Sequence, residues 1–149
     1  MARSARGGFL PDTSCIIAAV VDWHEHHEAA AREISLRLEA GERFVVAAPA
    51  LIETYAVLTR LPAPHRLSPG DALALLEANL FGHPFVALDA PSYRALVSNA
   101  PAQAIAGGRT YDAVIARCAV RAGAEVILTF NERHFRGLVE GVEIVTPSL

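Results

Sequence analysis

Residues 8–14 read Gly8-Phe9-Leu10-Pro11-Asp12-Thr13-Ser14, and the six that follow, Cys15 to Val20, are all apolar. This reads as a short strand over Gly8–Pro11 that ends at Asp12 and turns directly into an apolar helix over 13–21. Asp12 occupies the place where a short polar side chain caps a helix.

Working outward, the same alternation recurs. Asp22 can cap a second helix over 24–40, stopped by Gly41, with Ala30, Ile34 and Leu38 on its inward face and Arg32, Glu33, Arg37 and Glu39 mostly outward. Residues 43–47 (RFVVA) are apolar nearly throughout, as a strand covered on both faces would be. Pro49 then opens a helix that carries Glu53 and runs to about Thr59. A proline-containing loop spans 61–67, and Ser68-Pro69-Gly70-Asp71 opens a helix through Leu80. A third strand is expected over 85–88, and a helix starts at Asp89-Ala90-Pro91 and breaks near Pro101. Thr110 can cap a helix over 111–122, ended by Gly123. A fourth strand follows over 125–129, a turn or short helix over 131–135, and a fifth, edge strand over 142–145. Strands alternating with helices predict an α/β fold: a parallel sheet of four to five strands with helices on both faces.

The 149 residues, 52% hydrophobic and 19% charged, suit one domain over residues 1–149, with residues 1–8 expected to be disordered. A net charge of −3 excludes a protein that holds nucleic acid by bulk positive charge. All thirteen basic residues are arginine, so mechanisms that need lysine are excluded: Walker-type phosphate binding, Schiff-base chemistry and receiver or phosphatase phosphoacceptor sites. No G-x-G-x-x-G follows the first strand, which disfavours a dinucleotide-binding domain. Cys15 and Cys118 lie in apolar stretches and read as buried free thiols. The apolar run 16–21 is too short for a signal or a membrane span, so a cytoplasmic protein without membrane attachment is expected.

In an open parallel sheet the functional site lies beyond the carboxyl ends of the strands. Asp12 follows the first strand, Glu53 lies in the first turns of the helix after the second, Asp112 opens the helix before the fourth, and Asn131 stands just beyond the fourth. Taken singly, an aspartate before a helix is a cap. Taken together on one edge, clustered carboxylates repel unless a cation cancels their charge. A magnesium ion does so with two to four protein oxygens and keeps several waters. Such an ion polarises a phosphoryl oxygen and acidifies a bound water.

The order Asp12-Thr13-Ser14, Glu53 in IETYAVLTR, Tyr111-Asp112-Ala113 in YDAVIARCA, and Leu128-Thr129-x-Asn131-x-x-His134-Phe135 resembles the PIN-domain nucleases, above all the VapC-type toxins of bacterial toxin–antitoxin pairs. Residues 23–30 (WHEHHEAA) also resemble the segment after their first helix, and the likeness runs from about Phe9 to the C-terminus. It implies a Rossmann-like PIN fold and a Mg²⁺-dependent endoribonuclease, with Mn²⁺ able to substitute, that cuts structured or single-stranded transfer or ribosomal RNA. It also implies a homodimer and a cognate VapB-type antitoxin that covers the site. Carried over by position, Asp12, Glu53 and Asp112 are the metal-binding acids and Asn131 the fourth catalytic member. Many relatives have Asp at this last position. Asparagine supplies a neutral carbonyl and an amide donor, so one firmly held ion is expected.

Arg60, Arg109 and Arg133 are the candidates for phosphate contact, since guanidinium suits bidentate recognition of phosphate. His24, His26 and His27 read as exposed histidines, with no converging fourth ligand for zinc. His134, close to Asn131, reads either as a substrate neighbour or as a turn residue, and Ser14 and Thr129 as caps or orienting hydroxyls. The apolar stretches 16–21 and 72–80 are core, a dimer contact or a seat for an antitoxin helix. The alternatives are a non-catalytic PIN-like binding module and a non-toxin PIN nuclease of RNA processing.

Overall fold

The computed structural model describes residues 7–149. Its centre is β1 (Gly8–Pro11), buried along its whole length because strands flank it on both edges and helices cover its faces. The main sheet is parallel throughout, in the order β2 (Arg43–Phe44), β1, β5 (Ala124–Leu128), β6 (Glu143–Val145). The expected edge strand is β6. β1 has the bounds read from the sequence, Gly8 included; of the start expected to be disordered, residues 1–6 lie outside the described residues.

The single strand expected over 43–47 is divided between two ladders. Val45 N–H donates to Phe9 O at 3.0 Å, while Val46 N–H donates to Pro84 O at 2.9 Å. Successive N–H groups of an extended chain point to opposite edges, and here the two edges meet different partners at different heights. The run therefore forms β2 against β1, then β3 (Val46–Ala47) against β4 (Phe85–Val86) in a second, two-stranded parallel sheet.

α1 (Thr13–Val20) packs on β1 and against α2 (His27–Glu39), α3 (Ala48–Arg60) and α4 (Pro69–Leu80). α6 (Arg109–Ala122) packs on β1 and β5 and against α5 (Ala90–Asn99) and α7 (Glu132–Phe135). The core between them holds Phe9, Leu10, Ile16, Leu58, Leu76, Leu80, Ile127, Leu128 and Phe135. The apolar stretch of α1 is thus mostly core, whereas α4 buries only Ala72, Leu76 and Leu80 and leaves Leu73, Ala74 and Ala78 exposed. α5 differs: none of its residues is buried.

Two helix starts differ from expectation. α2 begins at His27 and not His24, and Asp22 caps nothing, because residues 21–27 close turns of their own: His24 N–H donates to Val21 O and His27 N–H to His24 O. α6 begins at Arg109, so Thr110 lies inside the helix; its start has no side-chain cap. Its end is as expected, with Gly123 in the left-handed conformation (φ +66°) that glycine adopts without a Cβ clash. Among the described residues no helix is long and apolar enough to cross a membrane.

Candidate active site

Strand order reverses at β1, which has β2 on one side and β5 on the other. The crevice between the carboxyl ends of β1 and β5 is where an open parallel sheet builds a site, and Asp12 and Thr129 stand at its mouth. Asp12 is 3% exposed. Its Oδ1 accepts hydrogen bonds from Ser14 Oγ (2.6 Å) and from the Cys15 backbone N–H (2.9 Å), and its Oδ2 accepts from Thr129 Oγ1 (2.5 Å). Asp12 is therefore both the cap of α1 and a carboxylate held rigidly by three donors. Thr129 Oγ1 in turn accepts the Asn131 backbone N–H (2.8 Å), and Ser14 Oγ accepts the Phe130 backbone N–H (3.2 Å). The two hydroxyls fasten the turn after β5 to the carboxylate after β1.

Burial pushes the Asp12 carboxyl above the ordinary carboxylate range; the Ser14, Thr129 and Cys15 hydrogen bonds pull it back, and the neighbouring charge of Asp112 raises it again. Asp112, half-buried in the first turn of α6, is likewise raised by burial, offset by His134 and Arg109. His134 Nδ1 lies 3.2 Å from Asp112 Oδ2. Two acids thus sit near each other in a recess where, among the described residues, no arginine or histidine pairs with Asp12. Their hard oxygen donors, with free positions remaining on both, suit a divalent ion that keeps most of its water shell.

The other expected members stand differently. Glu53 is on the exposed face of α3 and lines an open groove of about 930 Å³ with Arg60, Tyr93 and Tyr111. Among the described residues no three acids, histidines or cysteines converge closely enough to form a ready-made metal cluster, and Glu53 stands on a separate wall from the two aspartates. The reason is placement: the aspartates are recessed at strand and helix ends, and Glu53 faces out from a helix wall. Asn131 is exposed and precedes α7, with its backbone tied to Thr129. Arg60 and Arg133 are exposed. Arg109 is engaged within the fold: its Nε donates to His134 O (3.1 Å) and a terminal nitrogen to Arg136 O (2.6 Å), clamping α7 to α6. The His134–Asp112 pair and this clamp were missed in the sequence, and no local pattern signals them.

The PIN-domain family model matches residues 9–139. The chain belongs to the PIN-domain family. Its relatives include ribonuclease VapC40 of Mycobacterium tuberculosis, 43% identical over 139 residues, 91% of this chain and 98% of that protein. Ribonuclease VapC27 of the same organism is 38% identical over 109 residues, 73% of this chain and 67% of that protein. This PIN domain is accordingly a ribonuclease of the VapC type. The same fold occurs in the DNA-bound VapBC complex of Salmonella typhimurium, with a TM-score of 0.69 at 22% identity, covering 95% of this PIN domain and 98% of that chain. It also occurs in VapC20 of M. tuberculosis, a sarcin-ricin loop cleaving toxin, with a TM-score of 0.64 at 18% identity, covering 91% and 99%.

Proposed function

We propose that this PIN domain is a divalent-metal-dependent endoribonuclease and the toxin of a toxin–antitoxin pair, acting on looped transfer or ribosomal RNA. The observation that carries the metal-dependent reading is the recessed Asp12–Asp112 pair: Asp12 buried beneath three hydrogen-bond donors and Asp112 beside His134, both raised by burial. Asp12 and Asp112 would hold the ion, magnesium or manganese, with Glu53 as the third acid on the α3 wall. The ion supplies charge neutralisation at the scissile phosphate and an acidified water.

The chain's own residues do the rest. Ser14, Thr129 and the Cys15 N–H fix both oxygens of Asp12. His134 orients Asp112 and stays more than half exposed, placed to exchange a proton with solvent or a leaving oxygen. The exposed Arg60 and Arg133 are placed to meet phosphates that a net charge of −3 would otherwise repel. Asn131, tied by its backbone to Thr129, would supply an uncharged amide to the site.

The groove at Glu53 is flanked by the exposed apolar residues Ile52, Tyr93, Val97 and Tyr111. That concentration of apolar surface suits contact with a second copy of the chain. A VapB-type antitoxin is the partner suggested by the VapBC structures of the same fold.

Cleavage of a panel of structured RNAs tests the reading. Wild-type protein is expected to cut with Mg²⁺ or Mn²⁺ and to stop in EDTA, and Asp112→Asn to be inactive. Metal-dependent cutting that survives Asp112→Asn would overturn the assignment.

A further inference from the structure

The segment His24-Glu25-His26-His27 is not used by the mechanism above, although one of its rings sits beside it. Two of the three imidazoles have structural duties. His24 Nδ1 accepts the His26 backbone N–H at 3.0 Å, and His27 Nδ1 donates to Ala18 O at 2.9 Å, tying the turn to α1. His26 has no such tie. Its ring lies flat on Phe130, with centroids 4.5 Å apart and planes 13° apart, with the tilted His24 ring 5.7 Å away and Glu25 Oε1 3.5 Å from Nε2. The His26 side chain is 47% exposed.

Phe130 is in turn registered to the catalytic acid. Its backbone N–H donates to Ser14 Oγ, which donates to Asp12 Oδ1. The stacked pair is thus two hydrogen bonds from the carboxylate and directly precedes Asn131. Beside it opens a cavity of about 430 Å³ lined by the three histidines and by Asp22, Glu25 and Glu28. The carboxylates would repel a phosphate. They can accept hydrogen bonds from the exocyclic amine of a nucleobase, as acidic side chains do from cytosine.

We propose that the His26–Phe130 pair and this cavity form a subsite that stacks one unpaired, amine-bearing nucleobase of the RNA next to the scissile position. The inference rests on the ribonuclease reading and deepens it. Bases splayed from single-stranded loops stack on aromatic and histidine rings, and the half-exposed His26 ring on Phe130 is such a platform. Backbone contact elsewhere would position the RNA, and this subsite would select which nucleotide flanks the cut.

The test uses octameric oligoribonucleotides of A, C, G or U, each carrying one 2-aminopurine at successive positions, bound in EDTA so that binding is read apart from cleavage. Wild type is expected to change the fluorescence of the probe at one position and, of the four unlabelled octamers, to bind that of U most weakly. His26→Ala should erase that position-specific signal and weaken binding about tenfold. His26→Phe should restore it, because a flat ring is what the subsite needs. Phe130→Leu keeps the backbone N–H and should behave like His26→Ala. No positional signal in wild type, or one indifferent to His26→Ala, overturns the subsite. Cleavage is assayed in parallel with Mg²⁺: cutting that persists beside either of those results leaves the ribonuclease reading standing. Loss of cutting with the positional signal intact counts against the metal assignment and supports the subsite.

Discussion

The Thr129 hydroxyl donates to Asp12 Oδ2 and accepts from the Asn131 N–H, and it is fully buried. One small group thereby sets both the carboxylate after β1 and the turn that carries Asn131. Thr129→Val keeps the shape and removes both bonds. The variant is expected to lose about 1–3 kcal/mol of stability, the cost of leaving buried polar groups unmet, measured by urea unfolding. RNA cleavage should fall about 10–100-fold, as for other residues that orient metal-binding carboxylates. Full activity with normal stability would show that Asp12 needs no such support. Asp12 itself was legible in the sequence, because a capping aspartate at the end of the first strand of an α/β pattern stands where the sheet opens. His134 as partner of Asp112 was not: the two are far apart in sequence, and only the packing of α7 on α6 joins them.

At the scale of elements, the clamp from Arg109 to α7 distinguishes a structural arginine from an RNA-binding one. Arg109→Ala removes the bonds to His134 O and Arg136 O and releases the segment that carries His134. Cleavage is expected to drop while the salt dependence of RNA affinity stays unchanged. A phosphate-binding arginine would instead lower the slope of log affinity against log salt by about one, so a flattened slope would return Arg109 to the RNA surface. The order and kind of the elements were readable because helix stops, proline starts and apolar runs are local signals. The split of 43–47 was not, because an extended apolar run looks the same whichever ladder each half joins. Asp22 failed as a cap because the histidine turn closes first, through bonds that leave the helix to start at His27.

For the whole molecule, the raised carboxyls of Asp12 and Asp112 make stability depend on pH and on metal. Both bind their protons more tightly folded than unfolded. Their contribution is fully present below the ordinary value of 3.8 and is lost as pH rises through the raised folded values. Above those values the metal-free fold holds both carboxylates ionised at a cost that the Asp12 hydrogen bonds and the His134 and Arg109 charges offset only in part. Mg²⁺ at a hundred times its Kd should add about 2.7 kcal/mol, read as a rise in Tm at pH 7. Asp112→Asn should raise the Tm of the metal-free protein and remove most of the response to Mg²⁺. An equal Mg²⁺ response in both proteins would place the ion elsewhere.

α5 forms part of the wall of the groove at Glu53 through Tyr93, Leu96 and Val97, yet it buries none of its own residues. A helix so lightly anchored belongs to the part of a fold that opens first. Its amides are expected to exchange with deuterium well before those of β1 and β5, and binding of a second chain across the groove should slow them most. The width of that groove is then an equilibrium property of one peripheral helix, and any chain bound across it would fix that width.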